Sequence, residues 1–145
     1  MRRLVLVAMA VTLAAGCGGG GGARLSRTQY AAKADAICRK YNRLSSAIAN
    51  PTSLAELASA VKKLVPLLDQ SVKELRKLRP PKSEQATVDR WIERIEAIRD
   101  DLAKVGDRAA KKDSKGVQAA LRAGAADNQR GNQLAGQLGM TDCSE

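Results

Sequence analysis

Residues 54–78 read LAELASAVKKLVPLLDQSVKELRKL, and this stretch decides the fold. Its apolar residues recur at intervals of three or four, which places them along one face of an α-helix. Ser53 and Glu56 form a capping box that starts the helix, and Pro80 with Pro81 stops it. The apolar face consists of Leu54, Leu57, Val61, Leu64, Leu68, Val72, Leu75 and Leu78.

The same spacing predicts one helix before this stretch and two after it. Helix one starts at the capping box of Ser26 and Gln29, and Ser83 is expected to cap helix three. Helix four should begin at Asp113 or Ser114, and its apolar positions are mostly small residues. Each glycine in such a helix costs about 1 kcal/mol against alanine. These small residues let helix four approach its neighbours closely, but they also bury less area.

Four helices of roughly 23–28 residues with short connections favour antiparallel neighbours. No segment alternates between apolar and polar residues as a strand would. The sequence therefore predicts an all-α, up-down-up-down four-helix bundle. A three-helix core with the fourth segment loosely attached is the alternative. Pro66 should bend the second helix near residue 62, and Gly139 is a natural residue just past the end of helix four.

The composition excludes several kinds of chemistry. The chain has 145 residues, no His and no Phe, and 2% aromatic residues. Imidazole catalysis and imidazole metal ligation are therefore ruled out, and we expect no cofactor and no metal. The net charge of +10 suits an anionic partner, but no aromatic residues interleave the charges, which argues against nucleic acid.

The first residues resemble a bacterial lipoprotein signal. Arg2 and Arg3 precede an apolar run of 12 residues, 4–15, which is too short for a membrane span of about 20. The sequence Leu-Ala-Ala-Gly-Cys ending at Cys17 resembles a lipobox, which implies cleavage before Cys17 and lipid attachment to its thiol. The predicted location is the extracytoplasmic face of the cell membrane. A plain secreted protein is the alternative.

This pattern divides the chain into a signal peptide (1–16), a lipidated Cys with a Gly-rich tether (17–25) and a helical domain (26–145). An unbroken glycine run at 18–22 cannot pack and serves as a flexible link. No Gly-Lys-Ser/Thr motif follows it, so a phosphate-binding loop is not indicated.

Cys38 and Cys143 remain if Cys17 carries lipid, and a disulfide persists outside the cytosol. Their pairing would close a loop worth about 4–5 kcal/mol in the chain-entropy model. The short tail after Gly139 reaches Cys38 only if it turns back along helix one, nearly extended, or if helix four ends early. Two unpaired or redox-active thiols are the alternative.

The domain is similar to small uncharacterised helical lipoproteins and secreted proteins of high-GC Gram-positive bacteria. The resemblance rests on Ala34-Asp35-Ala36-Ile37-Cys38, on Leu78-Arg79-Pro80-Pro81 and on Leu138-Gly139-Met140-Thr141-Asp142-Cys143. It spans most of residues 26–143. It implies a structural pair of cysteines and no known activity.

A set of acidic residues on helix three is the best candidate for chemistry. Their spacing of four, three and four puts them on one face, but arginines and lysines at i+3 and i+4 make a solvated charged face the simpler interpretation. A hydrolase would need two of them, Glu93 and Glu96, in one open cleft. We expect no enzyme and no catalytic residue. The acidic residues are Asp89, Glu93, Glu96 and Asp100.

Two further sets of residues suggest binding. Basic residues at the end of helix two suit anionic lipid or cell-wall polymer, although they also complement the helix dipole. These are Lys73, Arg76, Lys77, Arg79 and Lys82. Trp91, Tyr30 and Tyr41 lie on apolar faces and either pack in the core or line a ligand pocket. The expected function is a membrane-anchored, non-catalytic binding or envelope-interaction module, whose protein partner the sequence leaves unknown; a carrier of a small apolar ligand is the alternative.

Overall fold

The computed structural model describes residues 23–144 and confirms the predicted up-down-up-down bundle of four α-helices. No strand occurs within that range. The predicted signal peptide, Cys17 and the glycine run at 18–22 lie outside it. The helices are α1 (Arg27–Ser46), α2 (Leu54–Leu75), α3 (Gln85–Ala110) and α4 (Ser114–Gln137), with short 3₁₀ helices at Lys82–Glu84 and Asp142–Ser144.

Capping side chains fix the starts of α1, α2 and α4. Ser26 and Gln29 form the predicted reciprocal capping box of α1. Ser53 accepts the Glu56 amide at the start of α2, but the Glu56 carboxylate accepts from Thr52, so the capping box predicted for Ser53 and Glu56 is wrong. The Asp113 carboxylate accepts the Gly116 amide and caps α4. These contacts satisfy amides that have no partner inside a helix.

Two predictions about helix limits are wrong. Ser83 does not cap α3, because it lies within the 3₁₀ helix Lys82–Glu84, and Glu84 occupies the N-cap position without a side-chain hydrogen bond. Helices α1 and α2 have 20 and 22 residues, fewer than expected, whereas α3 and α4 have 26 and 24. Helix α2 continues through Pro66.

Gly139 ends α4 in the left-handed conformation that glycine favours, with φ of +77°. Its amide donates to Gly136, and the Met140 amide donates to Ala135 at 3.0 Å. These two bonds make a Schellman motif, as expected for a glycine just past a helix. The motif reverses the chain, so the C-terminal tail runs back along α1.

The buried residues form two groups. The first group draws on all four helices and the tail: Tyr30, Ala31, Ala34, Val72, Leu75, Val88, Trp91, Ile92, Ala135, Leu138 and Met140. The second group draws only on α2, α3 and α4: Ala58, Val61, Val105, Ala109, Val117 and Ala120. The bundle therefore has a four-helix core at one end and a three-helix core at the other.

Helix α4 packs closely against α3, as its small residues suggested, and the alternative of a loosely attached fourth segment is wrong. Its contact with α3 is the most extensive in the described part of the chain, whereas α1 has far less contact with α2. Close packing also depends on a glycine of α3. A Cβ added at Gly106 would lie 2.7 Å from Val61 Cγ1, so this position keeps α2 and α3 close together.

The folded domain begins before residue 26. The Arg24 guanidinium donates to the Pro80 carbonyl and to the Gln85 side chain. The Leu25 amide donates to the Arg79 carbonyl at 2.8 Å, and Leu25 packs against the first group of buried residues. The last residues of the predicted tether thus lie on the domain. Within residues 23–144 no helix combines the length and hydropathy needed to cross a membrane.

Candidate functional site

The C-terminal tail is joined to α1 by a Cys38–Cys143 disulfide, with 5.3 Å between the two Cα atoms. The pairing is confirmed, and the alternative of two free thiols is excluded. Of the two routes predicted for the tail, it takes the first and turns back along α1. It does so through the 3₁₀ helix Asp142–Ser144, so it is not fully extended.

Asp35 holds the tail in place and has a role that the sequence did not reveal. Its carboxylate accepts the amides of Thr141 and Cys143, at 3.0–3.1 Å, together with the Thr141 hydroxyl. Asp35 is only 7% exposed. The available sequence signal was its position one helical turn before Cys38, and a carboxylate buried there needs hydrogen-bond partners.

The tail lies between α1 and α4 and contacts both, while the two helices make little direct contact with each other. At the end of the bundle where the tail lies, the Arg27 guanidinium donates to the Gln137 carbonyl. Beyond the tail, α1 and α4 are separated by an opening. We call this opening the α1–α4 groove; its floor consists of residues of α2 and α3.

One part of the α1–α4 groove is a cavity of about 160 Å³ beside the disulfide. Trp91 and Tyr41 line this cavity, as the sequence suggested for a ligand pocket. Tyr30 does not line it and belongs to the first group of buried residues. The other lining residues include Leu68, Leu75, Ile95, Ile98, Asn42, Asn128 and Asn132.

The groove continues from this cavity towards the loop between α1 and α2. Ile98 and Asn128 also line a middle space of about 230 Å³, which reaches Leu102 and Leu121. Leu102 and Leu121 then line a wide end of about 610 Å³ that includes Ser45 and Ile48. Neighbouring spaces share lining residues and follow one another along the open side of the three-helix core.

An ion-paired cluster fixes α1 against α2 beside the cavity. The Glu74 carboxylate accepts from Lys40 Nζ at 2.6 Å and from the Tyr41 hydroxyl at 2.8 Å. Lys40, followed by Tyr41, holds the pKa of Glu74 below its ordinary value. The same hydrogen bond raises the pKa of Lys40, and burial followed by Glu74 raises that of Tyr41.

The Tyr30 hydroxyl differs from that of Tyr41. It is buried, and no described residue forms a hydrogen bond with it. Burial, and then the Asp89 carboxylate, raises the pKa of Tyr30 strongly. This hydroxyl is therefore a neutral core group and has no role in the groove.

The predicted basic residues are exposed and lie at the end of α2 and in its connection to α3. Arg76 is tied to Glu96 on α3 by an ion pair of 2.7 Å. Arg79 accepts the Leu25 amide through its backbone carbonyl. The chain therefore enters the domain at the same end as this cluster, which comprises Lys73, Arg76, Lys77, Arg79 and Lys82.

The acidic residues of α3 have separate neighbours. Glu96 pairs with Arg76, whereas Glu93 lines a shallow depression with Arg90 and Arg94. Asp89 accepts from Gln85, and Asp100 pairs with Arg99. Glu96 and Asp100 thus pair with two different arginines. No group of three metal-ligating side chains comes together within residues 23–144.

The comparisons with known proteins add no relative: no family model, no curated protein and no solved structure matches this chain.

Proposed function

We propose that this protein is a lipid-anchored, non-catalytic binding module on the extracytoplasmic face of the cell membrane, with its ligand site in the α1–α4 groove. The observation that carries the binding role is the cavity beside Trp91 and Tyr41. Concave sites with apolar walls and a few polar groups are where proteins bind small molecules. The Asn side chains at the cavity supply those polar groups.

The anchoring role rests on the sequence around Cys17. Arg24 and Leu25 lie on the domain, so the link between Cys17 and the fold is short and spans at most about 25 Å. The chain enters at the end that carries Lys73, Lys77 and Lys82. A domain held so close to the headgroups would turn these cations towards anionic lipid or cell-wall polymer.

Fractionation tests the anchor. In the native host the wild-type protein should sediment with membranes, and Cys17→Ser should appear in the soluble or secreted fraction. A variant that stays in the membrane fraction, with no unprocessed form, would show that the lipid is not the anchor.

A neutral dye tests the binding site. Phenylnaphthylamine should bind the Cys17→Ser chain saturably, with a rise in dye fluorescence. Ala125 lines the middle of the groove, and Ala126 is exposed and is the next residue along α4. Ala125→Phe should reduce binding about tenfold, and Ala126→Phe should leave it unchanged. Equal binding by both variants would rule out the groove as the site.

A further inference from the structure

The cavity beside the disulfide has polar groups on two opposite walls and an apolar floor. Asn42 lies on α1, and Asn128 and Asn132 lie about one turn apart on α4, across the opening. A ligand that fits here needs hydrogen-bonding groups on opposite edges and an apolar face between them. The apolar residues of the floor, from α2 and α3, are Leu68, Leu75, Trp91, Ile95 and Ile98.

The three Asn side chains are the polar groups of this cavity that are free to bind a ligand. The Ser71 hydroxyl already donates to the Leu68 carbonyl, and the Tyr41 hydroxyl donates to Glu74. Within residues 23–144 none of the three Asn side-chain amides forms a hydrogen bond. Each amide offers an oxygen acceptor and an NH₂ donor, so it can bind a hydroxyl group in either direction.

The lining of the cavity carries no unpaired charge in the described part of the chain. The Asp142 carboxylate lines it but pairs with Arg39. Cys38 and Cys143 are joined to each other, so neither presents a thiol. A charged ligand would lose water here without gaining a partner of opposite charge, which costs free energy. The lining therefore favours an uncharged ligand.

The size of the cavity suits one ring. Its volume is about 160 Å³, and an apolar cavity of about 150 Å³ in another protein holds benzene. A hexose in its ring form has hydroxyl groups round its edge and C–H groups on its faces. The edge matches the amides on α1 and α4, and one face matches the apolar floor. A nucleobase has two flat apolar faces, whereas this cavity has one apolar side.

We propose that this cavity binds one uncharged hexose ring, as the free sugar or as the end unit of a glycan. The hydroxyl groups bind Asn42, Asn128 and Asn132, and the C–H face lies on the apolar floor. The proposal rests on the proposed function and names the ligand class of the same groove. A ligand this small, held by three amides, should bind with a Kd in the millimolar range.

The single Trp of the chain makes a direct test, because an NMR spectrum of the nitrogen-labelled Cys17→Ser chain has one indole N–H signal. The probes are the methyl glycosides of glucose, galactose and mannose, and at least one should shift this signal saturably. The uronate and amino-sugar counterparts of that glycoside should bind no more tightly. Absence of a shift with all three glycosides, or tighter binding of a charged counterpart, would overturn the proposal.

Asn128→Ala tests the contact with the amides. It should raise the Kd about threefold to tenfold, as expected for the loss of a hydrogen bond. Gln129 is exposed and is the next residue along α4, so Gln129→Ala is the matched control and should leave the Kd unchanged. Alanine favours the helix at both positions, so both variants should fold. Equal Kd values for the two variants would show that the amides do not hold the sugar and would overturn the proposal.

Two further probes identify the source and the class of the ligand. A disaccharide with the same sugar at its non-reducing end should bind as tightly as the methyl glycoside if the ligand is the end of a glycan. It should fail to bind if the ligand is the free sugar. A shift with adenine and none with the glycosides would show a nucleobase site and overturn the proposal.

The dye separates this proposal from the broader one. If phenylnaphthylamine binds and Ala125→Phe blocks it, but no glycoside shifts the Trp91 signal, the groove is a binding site for another class of ligand and the hexose proposal is wrong. If neither the dye nor any glycoside binds, both proposals are wrong.

Discussion

The Asp35 carboxylate accepts the backbone amide of Thr141 at 3.0 Å, although 106 residues separate the two along the chain. The same carboxylate accepts the amide of Cys143, so one buried side chain satisfies two amides at the start of the final 3₁₀ helix. These hydrogen bonds hold Cys143 beside Cys38 in addition to the disulfide. The tail in turn fills the space between α1 and α4, and the α1–α4 groove begins where the tail ends.

Asp35→Asn should destabilise the protein by about 2 kcal/mol. The amide group of Asn carries no charge and puts a donor where the tail supplies donors, and a hydrogen bond to a charged group contributes about 1.5–3 kcal/mol. Urea unfolding with the disulfide intact measures this loss. Reduction of Cys38–Cys143 by dithiothreitol should also become faster, because the tail opens more often.

Asp107→Asn is the matched control, because Asp107 is exposed and its carboxylate makes no hydrogen bond or ion pair within residues 23–144. Its unfolding midpoint should equal that of the wild type. If Asp35→Asn unfolds at the same urea concentration as Asp107→Asn, the tail is not held by this carboxylate.

Gly106→Ala should lower stability by about 1–2 kcal/mol, although alanine is normally the better helix former. The added Cβ would meet Val61, which is stiff and 3% exposed, so the cost of overpacking exceeds the gain in helix propensity. At Gly124 an added Cβ would lie 3.6 Å from Asp101 Cβ, an ordinary contact. Gly124→Ala should therefore raise stability by about 0.5–1 kcal/mol. Thermal and urea unfolding measure both changes.

The double variant Val61→Ala with Gly106→Ala tests whether contact with Val61 causes the loss of stability in Gly106→Ala. Removing the Val61 methyl groups makes room for the new Cβ, so the two changes should cost less together than the sum of each alone. Additive losses would mean that the 2.7 Å approach does not limit the packing of α2 and α3.

The number and order of the helices followed from periodicity and caps, because each helix carries its own apolar face and start signal. The Cys38–Cys143 pair followed from the predicted compartment and from the two cysteines that remain after Cys17. The limits of these rules appear at Ser83, where local sequence favours a cap but the Pro-Pro turn inserts a 3₁₀ helix first.

Helix periodicity and capping signals could not predict the position of the groove. Tyr30, Tyr41 and Trp91 are all buried on the apolar faces of their helices, and only the packed structure shows that Tyr41 and Trp91 line the cavity while Tyr30 does not. The groove itself arises because α1 covers only one end of the core. Asp35 joins α1 to the tail at that end, through partners that are over a hundred residues away along the chain.

Tyr30→Phe and Tyr41→Phe each remove a phenolic hydroxyl, but we expect them to change stability in opposite directions. The Tyr30 hydroxyl is buried without a partner in the described part of the chain, so Phe should leave stability unchanged or raise it by up to about 1 kcal/mol. The Tyr41 hydroxyl donates to Glu74, so Phe should cost about 0.5–1.5 kcal/mol. Urea unfolding of both variants decides the matter, and a clear loss for Tyr30→Phe would mean that this hydroxyl has a partner.

Stability should fall in acid partly through Glu74. Its pKa is lowered in the folded state, first by Lys40 and then by Tyr41, so the unfolded chain binds the proton more readily. The stabilisation is present above the ordinary pKa of 4.5 and is lost as the pH falls through the lower folded value. The free energy of unfolding should therefore decline more steeply between about pH 5 and pH 3 in the wild type than in Glu74→Gln. Lys40→Met should reduce this pH dependence of the unfolding free energy nearly as much as Glu74→Gln does. Tyr41→Phe should reduce it less, since Lys40 lowers the pKa of Glu74 more than Tyr41 does. Parallel curves for the wild type and Glu74→Gln would show that this cluster does not hold α1 against α2.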